Sequence, residues 1–214
     1  SLHDALPIYP TSINTPYREK AMDAFLKKSM LVLAAVCLTL AVTAGWVMAQ
    51  NFSAGSFNFE PRFSAYGTTN PRVNAIMTYG GAFNYYVFDN FAVEAEGMGV
   101  YMDQTKRFET ALGYGSKSDP ANGIGANCNI RWHFVATGQA TMFAGAGFGG
   151  IWADTKTPYN GFENNLTENG EIGATYALSQ QLSLKGSVKY LHIGQFNTQG
   201  INAFGGTLGL NVSF

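Results

Sequence analysis

From residue 57 to Phe214, apolar and polar side chains alternate with a period of two almost throughout. Successive side chains of a β-strand point to opposite faces, so this period predicts strands with one apolar and one polar wall. Beyond residue 50 no stretch has the roughly 20 consecutive apolar residues that a spanning helix needs. Residence in a membrane must therefore come from strands or not at all.

Eight runs carry the pattern. The first sets Phe57, Phe59, Pro61, Phe63 and Ala65 against Asn58, Glu60, Arg62 and Ser64. Runs two and three put Val73 to Val87, and then Phe91, Val93, Ala95 and Tyr101, on one face, with Glu94 and Glu96 opposite the latter. The fourth sets Ile124, Ala126, Cys128, Ile130, Trp132 and Phe134 against Asn127, Asn129, Arg131 and His133. Runs from Met142 to Trp152, from Leu166 to Leu178, from Leu182 to Tyr190 and from Phe204 to Phe214 complete the set.

A soluble sandwich would alternate as well, but three features favour the membrane. The apolar faces end in aromatic residues, like the girdles of outer-membrane barrels. The polar faces carry both signs of charge (Glu60, Arg62, Glu94, Glu96, Arg131, Glu171, Lys185, Lys189), which suits a lumen filled by paired side chains. Connections also alternate in length: 89–90, 136–138 and 179–180 are short, while 67–72, 103–120, 154–164 and 194–202 are long. Short periplasmic turns, long outer loops and both termini inside are the pattern of such barrels, and a terminal Phe after an alternating strand suits their assembly signal. The expected fold is all-β, an eight-stranded antiparallel up-and-down transmembrane β-barrel in the outer membrane of a Gram-negative bacterium. Eight strands enclose only enough space for their own side chains, which disfavours a diffusion pore.

The N-terminal part reads differently. Met22-Asp-Ala-Phe-Leu-Lys-Lys, an apolar run from Met30 to about Ala44 and Val47-Met48-Ala49 form the basic, apolar and small-residue parts of a secretory signal peptide over 22–49. The run is too short for a retained spanning anchor. Residues 1–21 precede that complete signal and resemble translated adapter or vector sequence, so the barrel is expected at 50–214. Cys37 lies within the apolar run and fits no lipoprotein signal, which leaves Cys128 without an internal disulfide partner.

Charged residues make up only 13% of the chain and the net charge is −1, so nothing points to nucleic acid. Beyond residue 50 the only histidines are His133 and His192, with no metal-ligand spacing, so neither a metal nor a cofactor is expected. His133 falls on the lumen register beside Arg131, where a hydrogen-bonded structural role is expected. His192 shares its face with Leu182, Leu184, Val188 and Tyr190, so it points outward near the outer rim. A polar group there is either an interfacial side chain reaching the headgroups or part of a site. A tight hairpin at Ser179-Gln180 would set Glu168 directly opposite His192, about 5 Å away.

The stretches Ile130-Arg-Trp-His-Phe134, Phe143-Ala-Gly-Ala-Gly147, Asn165-Leu-Thr167, Val188-Lys-Tyr-Leu-His-Ile193 and Asn197-Thr-Gln-Gly-Ile-Asn202 resemble the lipid A 3-O-deacylase (acyloxyacyl hydrolase) family. The resemblance covers roughly strands four to eight. It implies a lipid-facing site that removes an ester-linked acyl chain from lipid A, with lipopolysaccharide and outer-membrane lipids as partners, and a monomer or weak homodimer. The family motif, His-x-Ser-Asn followed by a segment ending in an acid or Asn, works as a Ser-His-acid triad. His192 matches the base, Asn202 falls at or near the orienting residue, and Gly194 stands where the nucleophilic serine should be. Either the activity is lost or altered, or Thr198, or a water activated by a Glu168–His192 pair, replaces the serine. A non-catalytic structural or adhesive barrel is the alternative.

Overall fold

A computed structural model describes residues 52–110, 113–137, 139–158, 161–195 and 200–214. The expected leader and signal peptide at 1–49 lie outside the described residues, as does Thr198. The elements are β1 (Phe57–Thr68), β2 (Val73–Phe88), β3 (Phe91–Thr110), β4 (Gly113–Ser118), β5 (Ala121–Thr137), β6 (Ala140–Thr157), β7 (Phe162–Ala177), β8 (Leu182–Gly194) and β9 (Ile201–Ser213). No helix occurs among the described residues.

All pairings are antiparallel, and neighbours follow β2-β1-β9-β8-β7-β6-β5-β3 before a β2–β3 pairing closes the ring. The eight strands make the closed up-and-down barrel that the alternation predicts. The strand β4 pairs with Thr105–Thr110 of β3 alone, and the two form a ribbon beyond the rim.

The strands also run further than their apolar faces suggest. Much of the expected 103–120 loop is the β3–β4 ribbon, while β6 continues to Thr157 and β7 starts at Phe162. The reason is a change of parity toward the loop end. There the outward positions become polar: Asn74 Nδ2 donates to Asp103 Oδ2 at 3.1 Å, and the Asn122 backbone N–H donates to Asp154 Oδ1 at 2.9 Å. The inward positions become apolar, and Tyr66, Val73, Ile76, Met98, Val100, Met102, Ile151, Leu191, Ile193 and Ile201 pack into one buried cluster. An alternating strand whose faces exchange character looks, from its apolar face, as though it has ended.

This overturns the expectation of a polar lumen from end to end. Only its middle is ionic. Glu60 accepts from Arg131 Nη1 at 2.7 Å and Lys185 Nζ at 2.9 Å, and Glu94 accepts from Arg62 at 2.8 Å and also pairs with Arg131. Glu96 takes Arg62 at 3.1 Å and Lys189 at 3.2 Å, and Glu171 takes Lys185 at 2.9 Å. Four acids face four bases, so no net charge is buried. Asn127 and Asn129 extend the network, donating to Glu96 at 2.8 Å and Glu94 at 2.7 Å. Room for those two carboxamides comes from Gly147 and Gly149 on β6, where an added Cβ would overlap their oxygens.

At the turn end His133 is buried on the inward face, as expected, with Nε2 3.1 Å from the Tyr86 hydroxyl. Away from the loop end the outer wall is mainly apolar: Ile124, Phe83, Phe148 and Val188 are each more than 60% exposed. An apolar surface of that extent suits hydrocarbon rather than water.

The network yields a stability prediction. Arg131→Met leaves Glu60 and Glu94 each short of a buried partner, and breaking such a pair from one side costs about 3–5 kcal/mol. Urea unfolding of the vesicle-inserted barrel is expected to show a loss of that size. A loss below about 0.5 kcal/mol, the size typical of an ordinary surface substitution, would mean that the network contributes no more than surface charges do.

Candidate functional site at the loop-end rim

His192 and Asn202 face outward from neighbouring strands, directly opposite one another in the β8–β9 register. His192 is half-buried, and its Nδ1 lies 2.8 Å from Asn202 Oδ1. A carbonyl oxygen can only accept, so Nδ1 carries the proton and Nε2 keeps its lone pair. The Tyr190 hydroxyl donates to the same Asn202 oxygen at 2.7 Å. Tyr190 lies two residues before His192 on the same face and packs against Phe204, with ring centroids 5.0 Å apart. Two donors thus hold one carboxamide, and the carboxamide holds the ring.

The free edge of the imidazole lies against two glycines. A Cβ added at Gly194 would sit 3.1 Å from Nε2, and one at Gly200 would sit 2.7 Å from it. Gly200 therefore makes room for the ring. Gly194, on the strand that carries His192 and two residues beyond it, is a second position whose side chain would lie against the unprotonated nitrogen. Among the described residues, no hydroxyl or thiol is hydrogen-bonded to His192.

The predicted β7–β8 register is correct: Glu168 lies directly opposite His192, and Ile172 opposite Val188. The two polar side chains nevertheless make no hydrogen bond or ion pair, because the imidazole turns toward β9 and Asn202 instead. Glu168 is an exposed carboxylate on the outer wall, opposite Phe148 on its other side. The orienting partner of His192 is therefore the amide of Asn202. A neutral amide fixes the tautomer but cannot stabilise an imidazolium as a carboxylate would.

Beside this cluster is a cleft of about 410 Å³ lined by Gly150, Ile151, Trp152, Asn164, Asn165, Leu166 and Gln195. It exists because the strand pairing becomes irregular there. The β6–β7 register shifts between Trp152 and Thr157, and β7–β8 pairing reaches only to Leu166 and Gly194. Gln195 Nε2 spans the gap, donating to the Asn164 carbonyl at 2.9 Å. The lining mixes an indole, aliphatic carbons and amides, which suits a ligand with an apolar chain and a polar head.

Sequence reasoning missed Tyr190 and the cleft. Face parity alone could have found Tyr190. The cleft depends on a register shift that no alternation pattern reveals. Among the described residues, no group of three His, Cys, Asp or Glu is placed to hold a metal ion.

No protein-family model matches the chain, and no curated protein matches it in sequence. Solved structures do match. The N-terminal β-barrel domain of Pseudomonas aeruginosa OprF aligns with a TM-score of 0.53 at 14% identity, covering 77% of this chain and 100% of that one. Neisserial surface protein A aligns with a TM-score of 0.55 at 12% identity, covering 74% and 97%. The outer membrane protein OprG of Pseudomonas aeruginosa aligns with a TM-score of 0.54 at 12% identity, covering 78% and 99%. At such identities the likeness is one of fold: the chain has the closed eight-stranded antiparallel fold of outer-membrane β-barrels.

Proposed function

We propose that this protein is an outer-membrane barrel of the lipid A deacylase type, exported through a cleaved signal peptide, in which the base and its orienting residue persist and the nucleophile has been lost. The observation that carries this reading is the His192–Asn202 pair, with Nδ1 held and Nε2 turned toward Gly194. A histidine committed to one tautomer, where the apolar outer wall gives way to the polar rim and beside a cleft of mixed lining, is arranged to take a proton from a nucleophile attacking a lipid ester. The substrate class is an ester-linked acyl chain of lipid A, its chain against Trp152 and Leu166 and its sugar headgroup toward Asn164 and Gln195. Without a serine at 194 the native chain is expected to leave lipid A intact or to act on it very slowly.

A structural or adhesive role is the second reading, and the β3–β4 ribbon supports it. The ribbon projects beyond the rim and presents Tyr114 with 83% of its surface exposed.

Mass spectrometry of lipid A from a Gram-negative host expressing the protein separates the two. Gly194→Ser is expected to remove one ester-linked hydroxyacyl chain at least about 100-fold faster than the native chain, since a missing triad member typically costs several powers of ten. Adding His192→Ala to that variant should abolish the gain. Intact lipid A from a folded, inserted Gly194→Ser barrel would favour the structural reading. Deacylation by the native chain that vanishes with His192→Ala would instead direct attention to Thr198 and Glu168 as its means of attack.

The orienting role of Asn202 has its own readout. In Asn202→Leu the His192 ring loses its fixed acceptor, and nitrogen NMR is expected to change from a single Nδ1–H tautomer to a mixture. An unchanged spectrum would mean that another group holds the ring.

A further inference from the structure

Below the ionic layer, at the turn end of the lumen, four consecutive strands point hydrogen-bonding side chains inward: Asn84 on β2, Asn58 on β1, Asn211 on β9 and Ser183 on β8. Asn58 is opposite Asn84, and Asn211 is opposite Ser183. Asn84, Asn211 and Ser183 are each 0% exposed. Both carboxamide atoms of Asn84, both of Asn211 and the Ser183 hydroxyl are shielded from solvent and make no hydrogen bond within the protein. A cluster of this kind is costly unless something bonds to it, because buried polar groups are almost always satisfied.

The segment before β1 bears on the same end of the lumen. Phe52 is 3% exposed and packs with Tyr86 and Ala92, its ring stacked on His133 with centroids 3.9 Å apart. Four hydrogen bonds fasten the segment. Asn90 N–H donates to the Phe52 carbonyl at 2.7 Å, Ala54 N–H to Asp89 Oδ1 at 2.9 Å, Gly55 N–H to the Tyr86 carbonyl at 2.8 Å, and Tyr86 N–H to the Ser56 carbonyl at 3.1 Å. Gly55 has a φ of 86°, a left-handed turn that lets the chain fold back before entering β1. A hydrogen-bonded relay runs inward from this cover: His133 Nε2 meets the Tyr86 hydroxyl, to which Asn58 Nδ2 donates at 3.3 Å.

We propose that Asn58, Asn84, Ser183 and Asn211 line a closed chamber that takes water-sized, uncharged hydrogen-bonding guests, with Phe52 as its cover. The lining chooses the guest. Two carboxamides and a hydroxyl offer both donors and acceptors, and the nearest charges, Glu60 and Lys185, are already paired with each other at 2.9 Å. An ion entering the chamber would meet no unpaired countercharge. The ionic layer closes the chamber on the other side, so exchange occurs at the turn end and requires Phe52 to move. This chamber is separate from the rim site and does not depend on any activity there.

Thiol chemistry on the folded protein in detergent micelles tests the proposal, in a Cys128→Ser background. Ser183→Cys is the chamber reporter, Gln180→Cys in the exposed turn is the open reference, and Ser64→Cys reports on the lumen beyond the ionic layer. With Phe52 in place, Ser183→Cys is expected to react at least about 100-fold more slowly than Gln180→Cys with neutral methyl methanethiosulfonate, as a site that reacts only on local opening does. Phe52→Ala should raise that rate by about tenfold or more, the effect expected from removing one buried aromatic side chain. Phe52→Leu should keep most of the protection. A cationic trimethylammonium methanethiosulfonate should gain far less than the neutral reagent, and Ser64→Cys should stay protected. Reaction of Ser183→Cys at the open rate with Phe52 present would overturn the closed chamber. No change on Phe52→Ala would remove Phe52 as the cover, and simultaneous exposure of Ser64→Cys would show one continuous lumen in place of a separate chamber.

Discussion

The structure depends first on the pairing of β1 with β9, from Asn58 opposite Ser213 to Thr68 opposite Ala203. In hydrocarbon no water can satisfy a backbone N–H or C=O, and each unsatisfied group costs several kcal/mol. An open eight-stranded sheet would present two such edges. Joining the first strand to the last removes both, and every other feature follows from that closure. It forces the side chains into two populations, one facing outward and one packed into a narrow lumen.

Because the lumen is narrow, its contents must satisfy one another. The middle does so with charge: four carboxylates and four cations leave no net charge, and amides from Asn127 and Asn129 take up remaining acceptor sites. Toward the loop end it is filled by apolar packing around Ile151 and Leu191, and at the turn end aromatic stacking of Phe52 on His133 closes it. Ionic, apolar and aromatic fillings each block passage in a different way. A lumen closed in this manner leaves the outer wall and the rim as the places for a lipid-facing site.

At the rim two register facts create the candidate site. His192 and Asn202 are opposite in β8–β9, and the β7–β8 ladder stops at Leu166 and Gly194. The first gives the imidazole an acceptor for one nitrogen, and the second opens a cleft in the wall near the pair. Glu168 is as close in register as Asn202, yet the ring turns from it. A side chain on a strand has two neighbours across the ladder but forms its bond on only one side. Parity therefore could nominate Glu168, Asn202 and His192 as a group, but could not choose between the acid and the amide.

The alternation of the chain alone was enough to determine that the chain forms strands, which face points outward over their middle, and the closed eight-stranded architecture, because a period of two admits no other regular backbone and hydrocarbon admits no open edge. Val73, expected outward with Ala75 and Met77, is instead buried in the lumen beyond a register shift. The hairpin at Ser179-Gln180 also set the β7–β8 register, since a tight turn leaves no freedom to slip. Three-dimensional packing decided the rest. The exchange of polar and apolar faces at the loop end depends on where the outer wall meets polar surroundings, a boundary that no single strand encodes. The choice of Asn202 over Glu168 is one of side-chain orientation, with His192 Nδ1 and the Tyr190 hydroxyl converging on the same Asn202 oxygen. The seating of Phe52 beneath His133 joins residues 81 positions apart, brought together only once the ring of strands has closed.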